Sequence, residues 1–298
     1  MIADGDTTSP DVLVVGDVMV DVSVASDVLA EGGDVAGEVH IHPAGAGANV
    51  AVWAARAGAR TRLHSRVGGD LPGRLVAEAL TERGVDARLV VDPQARTGAM
   101  LVVRSGGDRS MVADRGANAR WSIADLPDEL SAAAVLVSGY LVFDPGSERA
   151  AEEALRRSRA EFVAVDAASW PLVSAYGRER FMAATAPANV LLANEPEADA
   201  LADAPGPGGW ARLREAFPLV VVKRGRRGAL ILGDGPPREV PSSPGEIVDG
   251  TGAGDAFDGA FLAALARGAL TEAAARAGCD SGAAASSSPT PWPAKAAR

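Results

Sequence analysis

The chain has 298 residues, 47% apolar and 23% charged, which is room for one sizeable core and the balance of an ordinary globular protein. A formal net charge of −10 excludes a surface built to hold nucleic acid, while leaving room for a nucleotide held locally by backbone N–H groups and a few cations. The single cysteine, Cys279, excludes an intramolecular disulfide; the acidic, polar start from Met1 to Asp11 lacks a signal-peptide pattern, and no apolar run reaches the ~18 residues of a membrane span, so a cytoplasmic protein is expected.

In chain order, the apolar run Val12–Val15 opens the pattern. Val18–His42 then alternates apolar and polar residues, as an antiparallel strand pair does. Helices are expected over Asn49–Ala57, stopping at Gly58, and over Gly73–Arg83, stopping at Gly84. Thr97–Asp114 alternates again, with Gly106-Gly107-Asp108 as the hairpin turn. Further short apolar runs follow at Val135–Val137, Phe162–Val165, Val190–Ala193, Leu219–Val222 and Ala229–Leu232, with a helix capped by Ser147 between the first two. Uninterrupted runs separated by helices predict strands buried on both faces of a mostly parallel sheet, an α/β domain flanked by helices. The alternating segments 18–42 and 97–114 predict a small β lid inserted on a single domain over 11–298. The helix Asp255–Arg267 stops at Gly268, and the tail with Pro289, Pro291 and Pro293 is expected to be irregular and partly mobile.

Two segments carry chemistry. Asp249-Gly250-Thr251-Gly252-Ala253-Gly254-Asp255 is a Gly-rich turn feeding an apolar helix, so the backbone N–H groups of Gly252, Ala253 and Gly254 suit developing negative charge at a helix N-terminus. Asp255 at its mouth can accept the proton of an attacking hydroxyl, or simply cap the helix. Pro43-Ala44-Gly45-Ala46-Gly47-Ala48-Asn49, followed by Val67-Gly68-Gly69-Asp70, allows close backbone approach to a ligand, and Asn49 opens its helix as a cap or binds a hydroxyl.

Together these segments resemble the two signatures of the PfkB/ribokinase family of carbohydrate kinases, in that order and over nearly the whole chain. The resemblance implies a ribokinase-like three-layer α/β/α fold with a β lid that closes over a sugar and often pairs with the lid of a second subunit, giving a homodimer. It implies transfer of the γ-phosphate of ATP to a hydroxyl of a sugar or sugar-like molecule, with Mg²⁺. Asp255 matches the catalytic base and Gly252, Ala253 and Gly254 the anion hole; Asp21, Gly45 and Asn49 match substrate contacts. Asn194 and Glu197, from Asn194-Glu195-Pro196-Glu197, match the motif that places phosphate and Mg²⁺, with the carboxylate acting through metal-bound water. Lys223, Gly225 and Gly228 of Lys223-Arg224-Gly225-Arg226-Arg227-Gly228 match the nucleotide loop, of whose four cations at least two are expected to be solvated. Cys279 falls where the family lines its adenine pocket, or is a small buried apolar side chain.

The chain departs from the pattern too. Ala46 stands where ribokinases carry Lys, and no carboxylate lies near Gly139-Tyr140-Leu141, which counts against ribose itself. Asp166-Ala167-Ala168-Ser169-Trp170 lacks the cation associated with an acidic sugar. Gly278–Ser288 runs quickly into the tail, which argues against a K⁺ site. His40 and His42 share a strand face without an evident third metal ligand, and Arg115-Gly116-Ala117-Asn118 reads as a turn or a substrate approach. Alternatives are a nucleoside kinase of the same fold, disfavoured because no aromatic lies between Val18 and His42, and a non-catalytic binding protein, disfavoured by the intact Gly252–Asp255 segment. A dinucleotide-dependent oxidoreductase would need G-x-G-x-x-G after the first strand, which is missing, and no P-loop is present.

Overall fold

The computed structural model describes residues 9–28, 30–105, 108–245, 248–288 and 290–293. Its strands are β1 (Val12–Val15), β2 (Met19–Ser26), β3 (Glu38–Ala44), β4 (Thr61–Gly68), β5 (Val85–Asp92), β6 (Gly98–Ser105), β7 (Asp108–Asp114), a short pair β8 (Leu130–Ser131) and β10 (Ser158–Arg159), β9 (Ala134–Val137), β11 (Phe162–Asp166), β12 (Val190–Asn194), β13 (Leu219–Lys223), β14 (Ala229–Leu232) and β15 (Arg238–Val240). All six expected runs are strands of one nine-stranded sheet of order β15-β14-β13-β12-β11-β9-β1-β4-β5. The seven strands from β13 to β5 pair in parallel, whereas β14 and β15 turn back antiparallel. Only residues 224–228, built on the turn Gly225–Arg227, separate β13 from β14, too little chain for the crossover that a parallel partner needs.

Continuous apolar runs are explained by two cores, one on each face. Val12 and Val14 join the core with Leu63, Phe261 and Leu262, while Leu13 and Val15 join the other with Val137, Phe181 and Phe217. The helices are α1 (Ala46–Arg56), α2 (Leu71–Thr81), α3 (Gly139–Phe143), α4 (Glu148–Arg157), α5 (Trp170–Tyr176), α6 (Arg178–Ala184), α7 (Glu195–Ala202), α8 (Gly206–Trp210), α9 (Ala253–Ala266) and α10 (Thr271–Ser286). Ser147 stands at the N-cap of α4 but does not cap it by its side chain; its hydroxyl donates to the Leu141 carbonyl instead.

The contact that positions the site is between α1 and α9. Every residue of α9 from Ala256 to Leu265 is buried, so the helix is apolar all round and lies inside the molecule. A Cβ at Gly259 would come within 2.4 Å of the Val50 carbonyl oxygen and 2.8 Å of the Ala54 nitrogen, so glycine lets the two backbones touch.

A second sheet, β3-β2-β6-β7, stands apart from the first. Its register sets His42, Asp21, Met100 and Ala113 in one row and Ile41, Val22, Leu101 and Val112 in the next, on the opposite face. The turn expected at Gly106 and Gly107 lies outside the described residues; the strands on either side of it pair antiparallel.

Candidate active site

Five parallel strands end at one edge of the sheet and deliver polar groups there, as open α/β sheets do. Asp17 follows β1, Ser138 follows β9, and Asp166, Asn194 and Lys223 are the last residues of β11, β12 and β13. The Asp17 carboxylate accepts from the Ala46 amide at 3.3 Å and the Ser138 hydroxyl at 3.4 Å. Gly45, at φ +106°, caps α1, and a Cβ there would lie 2.6 Å from the Asp17 carbonyl, a packing reason for a glycine matched to the substrate side.

Asp255 lies in the first turn of α9, where Gly252 (φ +77°) is the N-cap and the leading amides have no partner within the helix. It does not cap the helix. Its Oδ2 accepts from the Asn49 side-chain amide at 2.7 Å across the α1–α9 contact. Asn49 does not open α1 either; the helix starts at Ala46, which leaves the Asn49 side chain free to reach the site. Burial holds the Asp255 carboxyl well above the usual carboxylate range, the Asn49 amide opposes this, and Asp166 and Asp258 push it further up. Asp166 is pushed up to about 7, chiefly by burial and then by Asp258, although it accepts from the Gly139 amide. Of the three expected anion-hole amides, that of Ala253 donates to the Gly250 carbonyl at 3.3 Å.

On one side of this turn opens a cavity of about 510 Å³, a size common for small-ligand sites. Asp166, Asn194, Glu197, Lys223, Gly225, Arg226, Gly228, Gly254, Asp255 and Cys279 all line it. The Lys223 side chain is 15% exposed: its Nζ sits 2.8 and 3.0 Å from the two oxygens of the fully buried Asp258, and a Cβ at Gly254 would lie 3.4 Å from it. Burial disfavours its charge, but Asp258, Glu197 and Asp166 together raise its pKa. Asn194 and Glu197 form a reciprocal capping box on α7, and both Glu197 oxygens accept from Asn194. Of the other loop cations, Arg224 pairs with Glu239 at 3.0 Å and Arg227 with Glu195, away from the cavity lining.

On the other side a cleft of about 30 Å³ is lined by Asp21, Ser23, His42 and Arg104 of the second sheet, by Asp249 and Thr251, and by Thr290 and Pro291. Arg104 pairs with Asp249, tying that sheet to the Gly-rich turn. His40 and His42 stack at 5.8 Å. Asn118 is spent on structure, its amide bridging the N–H and carbonyl of Val18 at 3.2 and 2.8 Å.

The described tail residues 290–293 are irregular, as expected, and are anchored by side chains of the site. Trp292 is buried, its Nε1 donates to Asn49 Oδ1 at 2.7 Å, and Trp53 Nε1 donates to the Pro291 carbonyl at 2.9 Å. The reason is that two buried indole N–H groups need acceptors, and the Pro291 carbonyl and the Asn49 side-chain oxygen supply them. Asp17, Asp166, Asp258 and Trp292 were not singled out from the sequence. Asp166 ends an apolar run and Asp258 lies one turn beyond Asp255, so both had a local signal; Trp292 had none.

The model of the pfkB family of carbohydrate kinases matches residues 9–291. The chain is 28% identical over 276 residues to a cytidine kinase of Thermococcus kodakarensis, covering 91% of this chain and 94% of that protein. It is 29% identical to a ribokinase of Bacillus subtilis, covering 89% of each. The solved structure of an adenosine kinase from Sinorhizobium meliloti superimposes with a TM-score of 0.85, at 22% identity and 96% coverage of both chains, and shares the fold. With its β-sheet order, its small second sheet and a family match running almost end to end, the chain belongs to the pfkB family of carbohydrate kinases.

Proposed function

We propose that this kinase transfers the γ-phosphate of ATP to a hydroxyl of a sugar, with Asp255 as general base, working as one unit in which segments 18–42 and 97–114 form the lid. The observation that supports the reading is that Asp255, in the first turn of α9, lines the large cavity with Lys223, while Asp249 and Thr251 of the turn leading into the same helix line the small cleft under the second sheet. A donor in the large cavity and an acceptor in the cleft would meet at that carboxyl.

The steps follow from the residues. The nucleotide lies along Gly225 and Gly228, with Asn194 at its phosphates. Its terminal phosphate faces the first-turn amides at Gly252 to Gly254, with the ammonium of Lys223 beside Gly254. Asp21 and Asn49 hold the acceptor, Gly45 allowing the backbone approach. Asp255, its pKa raised by burial, takes the hydroxyl proton as the oxygen attacks in line. The carboxylates of Glu197 and Asp166 along the cavity are oxygen donors of the kind Mg²⁺ prefers. Glu197 would hold the ion, through metal-bound water rather than directly. When bound, Mg²⁺ would neutralise charge on those phosphates. The enzyme would work in the cytoplasm; among the described residues no helix is long and apolar enough to cross a membrane.

A nucleoside acceptor is the second reading, favoured by the 28% identity to a cytidine kinase over nine-tenths of both chains. ADP release with Mg-ATP, measured over a panel of pentoses, hexoses, sugar acids and nucleosides, separates the two. Asp255→Asn should lower turnover by roughly 10²–10⁴-fold while both substrates still bind. Near-normal turnover in that variant would reject the assignment.

A further inference from the structure

We infer that Trp292 is a positioning residue of the phosphoryl-transfer site: its indole N–H sets the orientation of the Asn49 amide, and so aims the amide N–H at the Asp255 carboxylate. The inference rests on the reading of Asp255 as the base.

An indole nitrogen can only donate, a carboxylate can only accept, and an asparagine amide carries one acceptor and one double donor. Asn49 lies between the two, with Oδ1 2.7 Å from Trp292 Nε1 and Nδ2 2.7 Å from Asp255 Oδ2. Turning the amide over would set donor against donor at one end and acceptor against acceptor at the other, so each contact enforces the other. Removing the indole N–H frees the amide to turn and leaves the carboxylate without a guaranteed donor.

The segment that brings Trp292 here is anchored independently of that bond. Trp53 Nε1 holds the Pro291 carbonyl, the Arg83 guanidinium lies 4.8 Å over the Trp292 ring, and Pro291 packs where a Cβ on Gly252 would be 2.9 Å away. Residues 243 positions apart in sequence are thus joined at the reacting carboxyl, and the same segment presses on the anion-hole turn.

Other charged and titratable groups face Asp255 from every side. They are Asp258 on its own helix, Asp166 at the end of β11, Lys223 at the end of β13, Glu197 on α7, Arg226 in the turn after β13 and Tyr140 on α3, with Asp17 after β1 and Cys279 on α10 at the same site. All are unchanged in a Trp292 variant, so a difference from the parent protein isolates the indole N–H.

Trp292→Phe keeps a ring under Arg83 and removes the donor together with part of the ring volume, whose packing cost is read separately as Tm. Loss of a donor to the carboxylate raises its pKa, so the acidic limb of the kcat profile should move to higher pH by about half a unit or more. The maximal kcat should fall about tenfold, the value of one hydrogen bond of ordinary strength, with the KM for ATP within about twofold of the parent. A Tm loss with an unmoved pH limb would mean a packing role alone and overturn the inference, while loss of turnover in Asp255→Asn would leave the kinase reading standing. If the parent turns over no acceptor, the kinase reading fails and the inference is decided without catalysis. A ¹³C-carboxyl NMR titration, with the Asp255 signal identified by its loss in Asp255→Asn, should then still show an upward displacement in Trp292→Phe; an unmoved titration overturns it. Should Trp292→Phe not fold, the indole ¹⁵N–H resonance of Trp292 in the parent should titrate together with the Asp255 carboxyl, and a static resonance overturns the inference.

Discussion

Lys223 and Asp258 show how a single position can hold both stability and chemistry. The carboxylate is fully buried, and the ammonium gripping both of its oxygens is its charge partner on the neighbouring strand. Lys223→Met should therefore lower stability by about 3–5 kcal/mol, the cost of leaving one member of a buried pair behind. Burial already raises the Asp258 pKa, and loss of Lys223 raises it further. A group with a raised folded-state pKa stabilises below its unfolded value and loses that contribution as pH rises through the folded one. The Tm deficit of Lys223→Met should thus be small near pH 5 and grow towards pH 8; a deficit independent of pH would contradict the pairing. The sequence places Lys223 in the nucleotide loop without revealing this partner, because Asp258 is 35 residues away and reads there as an ordinary helical residue.

At the scale of elements, the site depends on how closely α9 approaches α1. Asn49 reaches Asp255 because Gly259 lets the helices meet backbone to backbone. Alanine is the better helix former by about 1 kcal/mol, so an isolated helix would gain from the change. Here the added Cβ would collide with the Val50 carbonyl and the Ala54 nitrogen, neither of which can swing away. Gly259→Ala should give a net loss of about 1–3 kcal/mol, read by denaturant titration. Gly208→Ala in α8, where nothing lies within 4 Å of the new Cβ, should be neutral or mildly stabilising and serves as the control. Equal losses in both would mean that the α1–α9 approach is not what limits this packing. Asn49 was legible as a helix residue near a small-residue run, but the run itself starts the helix three residues earlier, which turns Asn49 from a cap into a side chain aimed at the site.

For the whole molecule, the second sheet has two unlike faces. One carries Asp21, His42 and Arg104 towards the cleft, and Arg104 ties it to Asp249 in the Gly-rich turn. The other presents Ile41, Leu101 and Val112 in one cross-strand row to solvent, with Ile41 60% and Val112 65% exposed. An apolar row on an otherwise charged protein fits the homodimer through the lid proposed from the family resemblance. Ile41→Asp should convert a dimer to a monomer in light scattering, with Tm nearly unchanged because the side chain is exposed. A parent protein that is monomeric at micromolar concentration would remove this proposal.

The class of fold is legible in the sequence alone, since apolar runs of three or four residues between helices leave few arrangements other than a sheet buried on both faces. The sequence also determined the Gly-rich turn into α9, because glycine at positive φ and an apolar helix start are local properties of the backbone. Strands β4, β5 and β15 were not read: β4 is buried on alternate residues, β5 is half exposed and β15 is three residues long, so their runs carry little signal. Only the tertiary structure decided which polar groups meet. The pairing of Lys223 with Asp258, the bond from Asn49 to Asp255 and the seat of Trp292 join residues 35, 206 and 243 positions apart. Such partnerships are set by the need to satisfy buried donors, acceptors and charges in three dimensions, a condition that no local pattern of residues expresses.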